Sequence, residues 1–337
     1  MTSITTAQTQ RLSLIDVINR CDSFPYPSDT VRLERLSFLT FIVDEIPCGR
    51  IHSSVVPHIV AFNQQDRPAF HITDTTIAFM PWLKDYESRS DAIAQMLDIW
   101  RKDTKSFPSL SGWRDELYGV YTHNTDPATT KGGAALAIER SACGIFGVHA
   151  YGIHMNGYVR TGPRPHEVKM WVARRSATKP TYPGMLDNMV AGGMGFGHSP
   201  GYTVLKESME EATIPLEIAR NAVPVGTISY TKLSKDETDS QPETQIVYDL
   251  ELPADFTPTP CDTEVENFRL WTMDEVLDSI RSGEFKPNCA CVCLHFMIRH
   301  AVLTPENESD YLEIVQRLNR KLEFPGPKKW PTFKEDL

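Results

Sequence analysis

The stretch NMVAGGMGFGHSPGYTVLKESMEEATIP, residues 188–215, constrains the fold more than any other part of this chain. Gly192, Gly193, Gly195 and Gly197 permit tight turns and a close approach of bare backbone to a ligand. Ser199 followed by Pro200 marks a helix start: a side-chain oxygen that can cap free N–H groups, then a ring with no N–H to satisfy. The spacing predicts a helix over Gly201–Ala212. On it Glu207, Glu210 and Glu211 stand at i, i+3 and i+4 and share a face, with Leu205, Met209 and Ala212 opposite. Carboxylates so close repel one another unless water or cations offset them. Oxygen-only donors suit Mg2+ or Mn2+, ions that serve phosphate chemistry. Taken alone, the same acidic face is read equally well as a solvated helix surface.

Around this segment, Ile145–Ile153, Glu167–Ala173, Ala222–Tyr230 and Gln245–Leu250 read as strands, and Met273–Ser282 and Asn288–His300 as helices, with a terminal helix over Glu308–Leu322. This order predicts an α/β (α+β) unit over 136–303, a mixed sheet packed between helices, followed by a C-terminal helix and tail over 304–337. Residues 1–121 read as a separate mixed α/β domain, with an amphipathic segment at Leu12–Ile18, apolar runs at Leu36–Val43 and Ser54–Phe62, and a helix at Asp91–Trp100. The polar THNTDPATTKGGAA, residues 122–135, reads as a linker. Cys289, Cys291 and Cys293 fall in an apolar helix that Asn288 would cap. No second Cys/His pair has zinc-finger spacing, so buried, reduced thiols are expected.

A formal charge of −10 and a pI near 5.5 argue against non-specific binding to nucleic acid or anionic membrane. The expected partner is a small diphosphate. The first 20 residues lack an apolar core, and only Arg11 and Arg20 are basic. A soluble protein of the cytoplasm, with access to the nucleus, is therefore expected.

Together, the glycine loop and acidic helix resemble the Nudix box: Gly, five residues, Glu, seven residues, Arg-Glu, an apolar residue, any residue, Glu-Glu, any residue, Gly, apolar. Here the frame runs Gly192, His198, then Lys206-Glu207-Ser208-Met209-Glu210-Glu211-Ala212-Thr213-Ile214. His198 stands where the first Glu would be, Lys206 replaces Arg, Ser208 replaces an apolar residue, and Thr213 replaces the last Gly. Beyond the box, ERSACGIFGVHAYGIHMNGYV, RRSATKPTYPGMLDNMVAGG, ETQIVYDLELPADF, EVENF and GEFKPNCA resemble a fungal and plant Nudix subfamily related to the region beside thiamine pyrophosphokinase. That resemblance spans roughly residues 115–315. It implies a Nudix fold and hydrolysis of oxidised thiamine diphosphates (oxo- and oxythiamine diphosphate) to monophosphate and phosphate, with Mg2+ or Mn2+ as cofactor. It further implies that Glu207, Glu210 and Glu211 hold metal and carry catalysis, with the Ala191 carbonyl as a further ligand and Gly192, Gly193 and His198 in the Nudix loop. Spacing nominates Glu264 as a later acidic ligand, with Glu266 behind it.

Arg174, Arg175 and Lys179 flank the loop and are expected to bind the diphosphate, because guanidinium forks fit phosphate oxygens. Trp171, Tyr182 and Tyr248 are aromatic candidates for stacking on a ring, against the alternative of core packing. Other readings stay open: hydrolysis of another nucleoside diphosphate derivative, a non-catalytic phosphate-binding protein, or a Nudix-fold isomerase using Cys143. The N-terminal unit is expected either to shape the pocket or to form a homodimer contact.

Overall fold

The structure, a computed structural model, describes residues 11–65, 67–261 and 263–330. Two sheets, a hairpin and the helices around them make up the molecule. Helix α1 (Leu14–Cys21) starts at a capping box, in which Ser13 and Asp16 satisfy each other's backbone N–H groups, and it buries Leu14, Val17, Ile18 and Cys21. After α2 (Thr30–Arg35) come β1 (Phe38–Val43), β2 (Ile46–His52), α3 (Val56–Asn63), β3 (Phe70–Ile72) and β4 (Thr76–Phe79). These strands form a sheet in the order β2-β1-β4-β3, with β1 and β4 parallel. Helix α4 (Tyr86–Trp100), capped by Asp85, packs Ile93, Met96, Leu97 and Trp100 into the same core. Of the apolar runs expected here, Ser54–Phe62 is helical, because Pro57 sits in the first turn of α3, where a missing N–H is harmless.

Strands β5 (Leu117–Tyr121) and β6 (Ala134–Glu139) pair as an antiparallel hairpin. The polar stretch 122–135, read from sequence as a linker, contains their whole connection and the first two residues of β6, so the chain stays on one hairpin there. The strand expected from Ile145 begins later. Residues Cys143–Phe146 form a short helix, α5, closed by Gly147 in the left-handed region.

The larger sheet is built from β7 (Ala150–Arg160), β8 (Val168–Arg175), β9 (Leu186–Asp187), β10 (Val190–Gly193), β11 (Val223–Leu233), β12 (Ser240–Glu251) and β13 (Val265–Thr272). Its main order is β11-β12-β7-β8-β13. Strand β10 pairs with the first half of β7 and β9 with β8, and only β12 and β7 run parallel. On one face lie α6 (Pro200–Ala212) and α7 (Leu216–Ala219), through Val204, Ala212 and Ala219. On the other lie α8 (Met273–Arg281), α9 (Pro287–Arg299), α10 (Tyr311–Arg317) and, from the far end of the chain, α1. The expected mixed sheet between helices is thus observed. Cys289, Cys291 and Cys293 are buried in α9. The helix starts two residues earlier than the expected cap Asn288, with Lys286 at the N-cap position and no side-chain cap hydrogen bond, since Pro287 takes its first position. The terminal helix is confined to Tyr311–Arg317.

Candidate active site

Helix α6 begins as its sequence indicates: the Ser199 hydroxyl accepts the Tyr202 N–H at 3.1 Å and Pro200 is the first helical residue. It ends at Thr213, left-handed at φ 52°, where glycine would be at ease. The Thr213 hydroxyl donates to the Thr259 carbonyl at 2.8 Å, which partly offsets that cost. Strand β10 delivers the loop to this helix, with Ala191 opposite His154 of β7. The Ala191 N–H donates to the Glu211 carboxylate at 2.8 Å. A strand residue directs its N–H and C=O to the same edge, so the Ala191 carbonyl lies on the Glu211 side as well. Glu207 lies against Gly192: a Cβ on that glycine would stand 2.7 Å from the Glu207 Oε1. Lys206 Nζ is 2.5 Å from Glu210 and 3.3 Å from Glu207.

Burial separates the three glutamates. The Glu207 side chain is 17 % exposed and that of Glu210 52 %. Burial drives the Glu211 carboxyl well above the usual range, the Glu207 charge pushes it further, and the Ala191 N–H opposes both. Glu207 is raised chiefly by burial, against the pull of Lys206, with Glu210 and Glu116 adding to the rise. Asp187 and Glu264 act on Glu211 in the same direction. Two carboxyls raised by burial beside a backbone carbonyl, one of them held by the Ala191 N–H and the other by Lys206, form an oxygen donor set that fits a hard divalent ion. Glu207, Glu211 and the Ala191 carbonyl are the donors best placed to hold one. Glu264, at the foot of β13, sits beside this group in an ion pair with Lys179, whereas Glu266 is exposed.

The basic residues proposed from sequence are engaged elsewhere. Arg175 donates to Asp187 at 2.8 Å and to the carbonyls of Thr181 and Tyr182. Arg174 donates to the Gly184 carbonyl at 2.7 Å. With Lys179 on Glu264, all three brace the segment 176–184. Trp171 and Tyr248 are buried in the sheet core, so of the three ring candidates only Tyr182 reaches open space.

That space is a cavity of about 490 Å³ between the β5–β6 hairpin and the larger sheet, and it ends on the backbone of Ala191, Gly192 and Gly193. Its cations are Arg114, Arg140, Lys232 and Lys286. Glu243, on its wall, accepts from the Tyr230 hydroxyl at 2.6 Å and from the Gln245 amide at 2.8 Å. Cys143 also lines it, but burial pushes this thiol up and keeps it protonated, which suits a wall better than a nucleophile. Tyr182, Cys143 and the Ala191–Gly193 backbone were expected here from sequence, but Arg114, Arg140, Lys232, Lys286 and Glu243 were not, because nothing in the local sequence of a lone Arg, Lys or Glu tells which cavity the fold will turn it towards.

Asp187 is the other acid that sequence reasoning missed. It is buried, accepts from Arg175 and from the Cys289 thiol at 2.7 Å, and stays below the usual carboxyl range because Lys286 and Arg175 outweigh its desolvation. His154 completes a buried group in which nitrogen, oxygen and sulfur atoms lie within 4.8 Å of one another. Two cations already attend Asp187 and His154 is pushed down to about 4 by burial, so this is a neutral imidazole in a hydrogen-bonded knot rather than a seat for more positive charge.

A family described as "Domain of unknown function (DUF4743)" matches residues 13–150. An uncharacterized protein of Saccharomyces cerevisiae is 41% identical over 252 residues, 72% of this chain and 71% of the relative. Nudix hydrolase 20, chloroplastic, of Arabidopsis thaliana is 36% identical over 290 residues, covering 84% of this chain and 73% of its own. The chain belongs to the Nudix hydrolases. It is therefore an enzyme of diphosphate hydrolysis, in a family that acts on nucleoside diphosphate derivatives and generally uses divalent metal ions. Among solved structures, a MutT protein from Methanosarcina mazei Go1 matches with a TM-score of 0.32 and 18% identity, covering 44% of this chain and 92% of its own.

Proposed function

We propose that this Nudix hydrolase cleaves the diphosphate of oxidised thiamine diphosphates, releasing the monophosphate and phosphate. The observation that carries the reading is the position of the cavity, which leads from a polar, partly aromatic wall to the bare backbone at Gly192, directly beside Glu207. Its volume is of small-molecule size, and its wall pairs acceptors such as Glu243 with the Tyr182 ring, a combination suited to an amine-bearing heteroaromatic group. Lys286 and Arg140 supply positive charge along the path to the loop, a role assigned from sequence to Arg174, Arg175 and Lys179. The sequence phrases outside the box support the thiamine-type ring specifically.

A bound divalent ion supplies charge neutralisation at the diphosphate and acidifies water. The rest falls to the chain. Glu207 and Glu211 would hold the ion with the Ala191 carbonyl, Gly192 would let the diphosphate pass close to Glu207, and Glu207 would take the proton of the attacking water. Lys206 restrains Glu207 and Glu210 from behind.

Phosphate release in the presence of Mg2+ or Mn2+, compared across oxothiamine diphosphate, thiamine diphosphate and ADP-ribose, tests the substrate. The expected order of kcat/KM places oxothiamine diphosphate first, and a preference for ADP-ribose would overturn it. Glu211→Gln should lower kcat by about 100-fold or more, the scale of a lost acid–base or charge-stabilising group. Full activity in that variant would overturn the site.

A further inference from the structure

The glycine loop does not stand on the larger sheet alone. The Phe196 N–H donates to the Leu117 carbonyl of β5 at 2.7 Å, and the Phe196 ring stacks on Tyr86 of α4 with centroids 5.6 Å apart. Arg140, just after β6, reaches the loop backbone: a Cβ on Gly193 would meet its Cζ at 2.9 Å. Glu116, just before β5, reaches the next glycine, where a Cβ on Gly195 would stand 3.4 Å from both its Oε1 and the His198 Nδ1. Arg140 and Glu116 are joined by an ion pair of 2.8 Å. Their backbones are fixed in turn, since the Arg140 N–H donates to the Glu116 carbonyl at 2.8 Å and the buried Glu139 carboxylate accepts from the N–H groups of Arg114, Glu116 and Ser141.

We propose that Glu116 and Arg140 form a positioning pair that holds residues 193–198 in register with Glu207. This assigns the β5–β6 hairpin and its flanks, which lie within the residues 13–150 that match a domain of unknown function, the task of completing the active site. The proposal rests on Glu207 and Glu211 being the catalytic acids. Stability is a poor explanation for the pair: the two side chains are 43 % and 31 % exposed, and ion pairs so wet contribute little. Geometry is a better one. The pair spans two consecutive loop glycines from a rigid hairpin, and a displacement of about 1 Å at a reacting group can cost about 100-fold in rate. Glu116 also bears on Glu207 through charge, which places the pair at the site and not behind it. At the corresponding positions of the box, Lys206 of α6 is paired with Glu207 and Glu210, and the His198 ring lies against Tyr202 with centroids 4.8 Å apart.

The test uses the full chain with Glu116→Gln, Glu116→Asp, Arg140→Met and the Glu116→Gln/Arg140→Met double variant. Glu116→Gln is expected to lower kcat by about 10- to 100-fold with KM within about threefold, and Glu116→Asp to recover most of the loss. The double variant should be no slower than the slower single one, because the two residues act as a unit. Amide hydrogen exchange across residues 192–199 should accelerate in Glu116→Gln and return in Glu116→Asp, with exchange in α9 unchanged. Unchanged exchange in the loop, additive losses of kcat, or equal loss in Glu116→Gln and Glu116→Asp would overturn the pair. Turnover by the unaltered protein tests the hydrolase reading separately, since loop exchange is read without substrate.

Discussion

Gly192 is held to glycine by the side chain that lies on it. Its backbone is outside the left-handed region, so any residue could adopt its conformation, yet a methyl group there would overlap Glu207 Cγ and Cδ. Gly192→Ala should therefore displace the Glu207 carboxylate and lower kcat by about 10- to 100-fold, while the melting temperature moves only a few degrees, the scale of about 1 kcal/mol in a chain of this size. Gly201→Ala is the matched control. Nothing lies within 4 Å of a Cβ at Gly201, and in a helix alanine is favoured over glycine by about 0.5–1 kcal/mol, so this variant should be slightly more stable and fully active. Phosphate release and thermal unfolding of the two variants check both statements, and a fully active Gly192→Ala would place Glu207 away from the chemistry.

At the scale of elements, what was legible in sequence was what local rules govern. Ser199 and Pro200 announced α6, and the spacing of Glu207, Glu210 and Glu211 announced a shared face. Spacing could not say that Glu211 is buried under β10 while Glu210 is half in water, because that depends on which strand covers the helix. Asp187 and Glu116 escaped for a similar reason: each is an ordinary acid at a strand end, and only the pairing of its strand with a neighbour, β9 with β8 and β5 with β6, sets where its side chain lies. The connection of the β11–β12 hairpin shows how an element can carry a pH dependence. Burial raises the Asp239 carboxyl from 3.8 to about 6, with Asp236 adding to the rise. Below pH 4 the group is protonated whether the chain is folded or not. Between pH 4 and 6 the unfolded chain ionises it first, so the fold loses stability as pH rises, and above 6 the loss is constant. At about 1.4 kcal/mol per pH unit the loss reaches up to about 3 kcal/mol. Asp239→Asn should accordingly stabilise the protein at pH 7.5 and leave it unchanged at about pH 3, below both values, as measured by urea unfolding. An equal gain at both pH values would remove ionisation as the cause.

Across the whole molecule, the ends of the chain join what the middle keeps apart. The core of β1–β4 runs on through Leu136, Ile138 and Phe146, and α1 packs on α8, α9 and α10 against the larger sheet, a contact between residues nearly 300 positions apart that no local pattern reveals. Arg320 secures it. Its guanidinium, 5 % exposed, donates to Asp22 at 2.9 Å and to the carbonyls of Phe24 and Pro25 at 2.6 Å, and Asp22 accepts from the Thr231 N–H of β11. Three residues on, Glu323 pairs with Arg50 of β2, whose guanidinium also lies over the Phe24 and Phe324 rings. The segment 319–324 is thus a strap tied to both sheets. Removing one member of a buried, hydrogen-bonded ion pair leaves the other charge stranded and costs about 3–5 kcal/mol. Arg320→Met should lose that much, and because the strap and the glycine loop both bridge the sheets, the loss should be shared. Native-state hydrogen exchange is then expected to show protection falling by the same amount in α9 and in β1 and β4. Protection that falls in α9 while β1 and β4 keep theirs would mean that the two sheets unfold independently, and the loop held between them would have to be ordered by the larger sheet alone.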